Sequence, residues 1–127
     1  MNTAKRVLIP LLCIAVILGL FRSVFFLGYV PSSSMEPTLK EGSVIFGYRR
    51  FKELKNGDVI VFQKEGRLLV KRIAAREDDT VRIGEESVDV PHNCFYVLGD
   101  NRGNSYDSRY WSDPFVSLND VVAKIFV

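Results

Sequence analysis

Histidine and cysteine are scarce in this sequence, and their scarcity removes several kinds of site. The chain has one histidine, His92, and two cysteines, Cys13 and Cys94. Cys13 lies inside an apolar segment and Cys94 lies far along the chain, so the two do not look like a disulfide pair. Zinc sites are built from CxxC pairs or clusters of cysteine and histidine. The sequence has neither, and we expect no metal site and no cofactor.

Acidic residues are missing from the first 30 positions. All 15 lie from Glu36 onward, together with 14 of the 17 basic residues. Residues 31–127 therefore carry a net charge of −1, and the overall charge of +2 comes from the first 30 residues. The sequence has neither a run of basic residues nor a motif that binds in a groove of DNA, and so we expect no nucleic-acid partner.

The first 30 residues have the pattern of a membrane anchor. Residues 7–21 are uncharged, follow Lys5 and Arg6, and are separated by Arg22 from a second apolar stretch that ends at Val30. A helix over residues 7–21 is about 22 Å long, shorter than the roughly 30 Å hydrocarbon core. We therefore expect the helix to extend to Val30, at about 36 Å. Lys5 and Arg6 predict a cytoplasmic N-terminus.

A cleaved secretory signal peptide is the competing interpretation of this segment, since it also has a basic start and an apolar middle. Such peptides end in small residues, whereas residues 25–30 are Phe-Phe-Leu-Gly-Tyr-Val. We therefore predict an uncleaved, single-pass unit over residues 1–30, made of a cytoplasmic stub and an anchor. Residues 31–127 are then predicted to form an extracytoplasmic domain.

The period of the apolar residues changes to that of β-strands after residue 42. Short β-branched or aromatic runs alternate with turn signals rich in Gly, Asn and Asp. The runs cover residues 43–49, 58–63, 67–73, 80–83, 87–90, 94–98 and 120–127. Regularly spaced short strands are typical of antiparallel structures. We expect a mostly β domain of antiparallel, partly closed sheets, with no helix outside the anchor.

Three consecutive serines stand between two prolines in residues 31–39, Pro-Ser-Ser-Ser-Met-Glu-Pro-Thr-Leu. Proline fixes φ and biases the residue before it away from helix, so this segment should be a stiff, extended turn. A hydroxyl group on such a turn is held in one direction, as a nucleophile requires. A polar linker is the alternative, and the serines taken alone favour it.

A serine nucleophile needs a base, and the sequence offers two. His92 lies in a Val-Pro-His-Asn loop, where a lone histidine is most often a surface residue. Lys71 lies in an apolar strand, and alternation puts it on the same face as Leu69 and Ile73. Because burial lowers the pKa of a lysine, Lys71 could serve as a base. The pattern alone leaves it either exposed at a sheet edge or functional.

A third segment, residues 99–111, is dense in polar side chains that bond to their own backbone, which predicts an ordered loop. Together with the anchor and residues 31–39, 55–61 and 69–73, residues 99–109 of this segment resemble bacterial type I signal peptidases (leader peptidases). These are membrane-bound serine proteases that remove signal peptides from exported proteins. Each motif alone is a weak signal, but four in the family's order are specific.

The resemblance implies a Ser-Lys dyad. Ser34 matches the nucleophile and Lys71 the general base. Ser32 matches a serine whose hydroxyl forms the oxyanion hole together with the Ser34 N–H. Ser105 matches a hydroxyl that orients the lysine ammonium.

Asp107 and Arg109 match a charged pair that supports the wall of the active site. The implied fold is the family's coiled antiparallel sheets with one transmembrane helix in the cytoplasmic (inner) membrane. The implied partners are the lipid bilayer, the secretion translocon and preproteins with small residues at the first and third positions before the bond. The sequence departs from the family at residues 74–79, where a Gly-x-Pro-Gly-Asp turn is usual, and at Gly103, where an acidic residue is common.

Two other functions compete with this one. A membrane-anchored β domain could bind extended peptides by strand addition without cleaving them. A self-cleaving Ser-Lys repressor would also contain a serine and a lysine. It would need a DNA-binding segment, which this sequence does not have.

Overall fold

A computed structural model describes all 127 residues as one helix followed by nine β-strands. The helix α1 spans Thr3–Val24. The strands are β1 (Phe25–Tyr29), β2 (Val44–Tyr48), β3 (Val59–Lys64), β4 (Arg67–Arg76), β5 (Thr80–Ile83), β6 (Glu86–Asp89), β7 (Cys94–Leu98), β8 (Phe115–Ser117) and β9 (Val121–Ile125). Two single-turn 3₁₀ helices lie at Arg102–Asn104 and Leu118–Asp120. The prediction of a mostly β chain with one N-terminal apolar helix is confirmed.

Seven of the strands form one antiparallel sheet in the order β1-β2-β9-β3-β4-β7-β8, and β5 pairs with β6 in a separate hairpin. Every strand pair is antiparallel, as the sequence predicts. The pairing shifts register within β3 against β9 and within β4 against β7. Such bulges increase the local twist of a sheet.

Residues 25–30 do not continue the helix, and the expectation that α1 reaches Val30 is wrong. The helix ends at Val24, and β1 begins at the next residue and pairs with β2. Twenty-two helical residues already extend about 33 Å, which exceeds the hydrocarbon core without any further turn. Phe26 and Val30 are buried while Leu27 and Tyr29 are exposed, which is the period of a strand.

None of the α1 residues is buried, and the helix contacts the domain only near its C-terminal end, where the Phe21 ring packs beside Phe46 and the Arg49 N–H donates to the Val24 carbonyl. Its length and apolar composition suit a membrane span. Arg22 lies in its last turn, where a long basic side chain can reach toward the interface.

The core has three clusters, two of which lie on opposite faces of β3. Val59 and Val61 belong to the first and Ile60 and Phe62 to the second, as side-chain alternation requires. In β4, Leu69 and Ile73 pack with the second cluster, whereas Val70 packs with the first. This is the alternation predicted for the strand that carries Lys71.

Candidate active site

The serine segment is held in place by Met35, whose side chain is 1% exposed within the first core cluster. The Leu39 N–H donates to the Met35 carbonyl at 2.9 Å, and the Glu36 N–H donates to the Ser33 carbonyl at 3.1 Å. Ser34 comes directly before Met35 and is itself buried. The turn is therefore fixed at the position from which the Ser34 hydroxyl projects.

The loop that follows β7 closes over the same turn. The Asn101 N–H donates to the Ser34 carbonyl at 2.9 Å, and the Asn101 side chain donates to the Ser33 carbonyl at 3.1 Å. Asn104 donates to the Ser33 hydroxyl at 2.6 Å. A Cβ at Gly99 would lie 2.7 Å from the Ser34 carbonyl oxygen, so only glycine permits this approach. The ordered loop predicted over residues 99–111, which we call the clamp loop, thus holds the serine segment, residues 31–39, in place.

Lys71 reaches Ser34 from β4. Its Nζ lies 2.7 Å from the Ser34 Oγ, and the residue is 5% exposed. Burial lowers the pKa of Lys71, because desolvation penalises the ammonium form, and the negative charge of Asp107 partly opposes that shift. The structure therefore brings the two residues predicted as nucleophile and base into direct contact.

Ser32 lies beside this pair, with its side chain open to solvent. Its Oγ is 3.2 Å from the Ser34 Oγ and accepts a long hydrogen bond, 3.5 Å, from the Ser34 N–H. The Ser32 hydroxyl and the Ser34 backbone N–H thus both lie beside the Ser34 Oγ.

Asp107 organises the side chains behind Lys71. It is fully buried, and its carboxylate accepts two hydrogen bonds from the Arg109 guanidinium, at 2.8 and 3.0 Å. The Gly99 N–H and the Ser105 hydroxyl also donate to it, at 3.0 and 2.8 Å. Arg109 and these other donors hold the pKa of Asp107 below its usual value despite burial. The Ser105 hydroxyl bonds to Asp107 rather than to Lys71, and its lysine-orienting role remains a prediction.

A second ion pair, which sequence reasoning missed, supports the clamp loop. Arg72 donates twice to Asp100, both at 2.8 Å, and once to the Gly57 carbonyl at 2.6 Å. Thr38 donates to the same carboxylate at 2.5 Å. Asp100 thus connects β4, the serine segment and the clamp loop. Arg72 adjoins Lys71 on the opposite face of β4, and this strand position is the signal that could have identified it.

His92 lies outside this group, in agreement with its interpretation as a surface residue. Its side chain is 84% exposed and pairs with Glu77 at 2.7 Å. Cys13 and Cys94 are both free. No cluster of three or more His, Cys, Asp or Glu side chains is placed to hold a metal ion.

Two cavities meet at Ser34 and Lys71. The smaller, which we call the apolar pocket, has a volume of about 30 Å³ and extends from Ser34 toward Val30, Met35 and Val70. The larger, which we call the wide arm, has a volume of about 460 Å³ and extends toward the β3–β4 turn. Its outer lining is formed by Lys64, Glu65, Arg67, Asn104, Tyr106 and Trp111.

The cleft of this antiparallel β domain thus contains a buried lysine amine against a serine hydroxyl. The chain matches the family described as "Signal peptidase, peptidase S26" over residues 2–90 and 84–127. This protein belongs to that family.

The chain is similar to several curated members of this family. It is 31% identical to "Probable signal peptidase I-2" of Synechocystis over 133 residues, which cover 78% of this chain and 60% of that protein. It is 28% identical to "Signal peptidase I U" of Bacillus subtilis, over 81% of this chain and 72% of the relative. "Inactive signal peptidase IA" of Staphylococcus aureus is 25% identical over 98% of this chain and 91% of its own length. Because the family includes a member named inactive, activity has to be argued from the site.

Proposed function

We propose that this protein is a membrane-anchored endopeptidase that removes N-terminal signal peptides from exported preproteins, with Ser34 as nucleophile and Lys71 as general base. The observation that carries the proposal is the 2.7 Å contact between the Lys71 Nζ and the Ser34 Oγ in a buried setting. A neutral amine at this distance can accept the hydroxyl proton as the Ser34 Oγ attacks the scissile carbonyl.

The negative charge that then develops on the carbonyl oxygen needs hydrogen-bond donors. The Ser34 N–H and the Ser32 hydroxyl are adjacent to the nucleophile and suit this oxyanion role. Lys71, now protonated, gives its proton to the departing amine, which leaves an acyl ester on Ser34. A water molecule deprotonated by Lys71 then hydrolyses the ester and frees Ser34.

The apolar pocket supports a substrate with a small residue before the bond. Its volume of about 30 Å³ is close to the share of one water molecule in the liquid. A cavity of this size favours a small side chain over a large one. The residues expected at the first and third positions before the bond in signal peptides are small in the same way.

The α1 helix supports a membrane location for this chemistry. It is long and apolar enough to span a bilayer, and Lys5 and Arg6 precede its apolar run. By the positive-inside rule these charges favour a cytoplasmic N-terminus, with residues 31–127 outside. A place beside the secretion translocon follows from the substrates proposed here.

A peptide-binding β domain without catalysis is the second candidate, since β1 and β8 are free sheet edges. The Ser34–Lys71 contact disfavours this candidate. A buried amine costs stability, because burial penalises its charge, and strand addition has no use for it.

Cleavage of a precursor protein by the detergent-solubilised chain tests the proposal directly. We expect a new N-terminus directly after the signal segment. Ser34→Ala and Lys71→Arg should each abolish the cut, because guanidinium stays protonated at any usable pH. His92→Ala should retain activity. Loss of activity in His92→Ala together with survival in Lys71→Arg would refute a Ser-Lys mechanism.

A further inference from the structure

The outer part of the wide arm takes no part in the reaction steps proposed above. The arm shares Ser32, Ser34, Leu69 and Lys71 with the apolar pocket, and so both cavities open on the same reacting atoms. Its outer part differs in character, because aromatic rings and basic side chains form its lining.

Tyr106 and Trp111 form an aromatic corner in this arm. Their ring centroids are 6.4 Å apart in an edge-to-face arrangement, and Trp111 also packs edge-on against the buried Phe62. Trp111 is thus fixed to the core, while the Tyr106 side chain is 69% exposed. A fixed aromatic corner gives a bound chain a large apolar contact area.

Two cations lie at the far end of the same arm. The β3–β4 turn, Glu65-Gly66, has positive φ at both positions, 51° and 76°, which suits a two-residue hairpin turn. It sets Lys64 directly opposite Arg67, and like charges in that position destabilise a strand pair. Neither cation forms an ion pair within the protein.

The charge of the outer lining is therefore positive, because Glu65 is its only carboxylate. Lys64 is already oriented into the arm, with its Nζ 4.4 Å from the centre of the Trp111 ring and 3.1 Å from the Asp113 carbonyl. The unpaired cations suit a ligand that carries negative charge.

The direction in which the substrate crosses the site indicates which part of it occupies the wide arm. If the small residue before the bond occupies the apolar pocket, the chain passes Ser34 and Lys71 and must leave through the wide arm. The residues beyond the bond then lie along Tyr106 and Trp111 and reach the two cations.

We propose that the wide arm binds the first residues of the mature chain, on the far side of the scissile bond, and prefers acidic side chains there. Tyr106 and Trp111 form the wall of this subsite, and Lys64 and Arg67 supply its charge preference. This inference rests on the proposed function, because it takes the same polypeptide across the same serine.

Trp111 is the only tryptophan, and its fluorescence reports on the arm directly. The Ser34→Ala protein in detergent is titrated with three peptides that share one sequence before the bond. The first ends at the bond, and the others extend by about six residues that contain either two glutamates or two lysines. We expect the glutamate peptide to shift the Trp111 emission and to bind about fivefold more tightly than the lysine peptide, as for partly exposed ion pairs. The peptide that ends at the bond should leave the emission unchanged.

Matched variants test which residues cause the preference for the glutamate peptide. Arg67→Glu should abolish or reverse it, whereas Arg82→Glu, an exposed basic position in β5, should preserve it. Tyr106→Ala should weaken both extended peptides by a similar factor. Equal shifts from the short and extended peptides, equal binding of the two extended peptides, or an unchanged preference in Arg67→Glu would overturn the inference. Binding is measured without the nucleophile, and so a failure of the unaltered protein to cleave would overturn the proposed function separately.

Discussion

The Lys71 amine makes pH a direct probe of the site at the scale of single residues. Only its neutral form can accept the Ser34 proton, and burial lowers its pKa from the ordinary lysine value. Cleavage should therefore rise with pH as Lys71 loses its proton and reach a plateau on the alkaline side, starting below the usual lysine range of about 10.4. The measurement is kcat/KM for a peptide substrate from pH 5 to 10. A rate that falls as the pH rises from 6 to 9 would contradict this assignment.

Asp107 should control the position of that pH profile. Its negative charge raises the pKa of Lys71 against the effect of burial. Asp107→Asn keeps an oxygen for the Gly99 N–H but removes the charge, so the rising limb should move to lower pH. The profile of Asp107→Asn is compared with that of Glu86→Gln, an exposed change in β6 that should not move it. A shift to higher pH would show that Asp107 acts on Lys71 in another way.

The Ser32 hydroxyl should act on the transition state. Removal of one oxyanion donor typically lowers kcat by about 10²–10³. Ser32→Ala should therefore lower kcat by about that factor with little change in KM, as steady-state kinetics on one peptide would measure. A change confined to KM would mean that Ser32 only shapes the cleft.

At the scale of elements, the Arg72–Asp100 pair connects β4 with the clamp loop, and it should contribute to the free energy of unfolding. Asp100→Asn removes charge-assisted hydrogen bonds from Arg72 and should lower the free energy of unfolding by about 2 kcal/mol at neutral pH. The hydrogen bonds from Arg72, opposed by partial burial and aided by Thr38, hold the pKa of Asp100 below its usual value. The stabilisation is therefore present above the unfolded-state pKa, about 3.9, and is lost as the pH falls through the lower folded-state pKa.

Urea unfolding of the detergent-solubilised protein, followed by Trp111 emission, checks this expectation. The difference between Asp100→Asn and the unaltered protein should be present at pH 7 and shrink as the pH falls below the unfolded-state pKa of about 3.9. Glu86→Gln, which alters an exposed carboxylate without an ion pair, provides the matched control. An equal difference above and below that pKa would contradict a role for the Asp100 charge.

Several elements were predictable because their signals are local. Strands β2 to β7 have β-branched or aromatic runs bounded by turn residues, and each was expected close to its observed position. β8 was missed because Phe115–Ser117 is too short to give a period. β1 was missed because it continues an apolar run without a turn signal. The residues that depart from the family at 74–79 extend β4 to Arg76 and then turn through Asp78, which has a φ of 72°.

The site was predictable in its central pair and not in its supports. Lys71 stood out because a cation in an apolar strand violates the strand pattern. The contacts of Asp100 with Thr38 and of Asn101 with Ser33 link residues more than 60 positions apart in the sequence. Nothing local in the sequence specifies such partners.

At the scale of the whole molecule, the orientation across the membrane remains a prediction. Lys5 and Arg6 should stay in the cytoplasm, and residues 31–127 should lie outside. A protease added to intact spheroplasts should then degrade the domain, as an antibody against its C-terminus would detect. Protection of the domain in intact spheroplasts, with degradation only after lysis, would reverse the orientation.

The direct passage from Val24 in the helix to Phe25 in β1 fixes the height of the reaction above the bilayer. No linker lies between them, and β1 is hydrogen-bonded along its length to β2. The Val30 N–H also bonds to the Ser43 carbonyl, so the chain is secured almost to Ser34. The nine residue steps from Phe25 to Ser34 span at most about 31 Å. In the proposed orientation this rigid connection keeps Ser34 within a fixed distance of the membrane, as a flexible linker would not. The protein can then cut only a bond that its substrate presents at that distance.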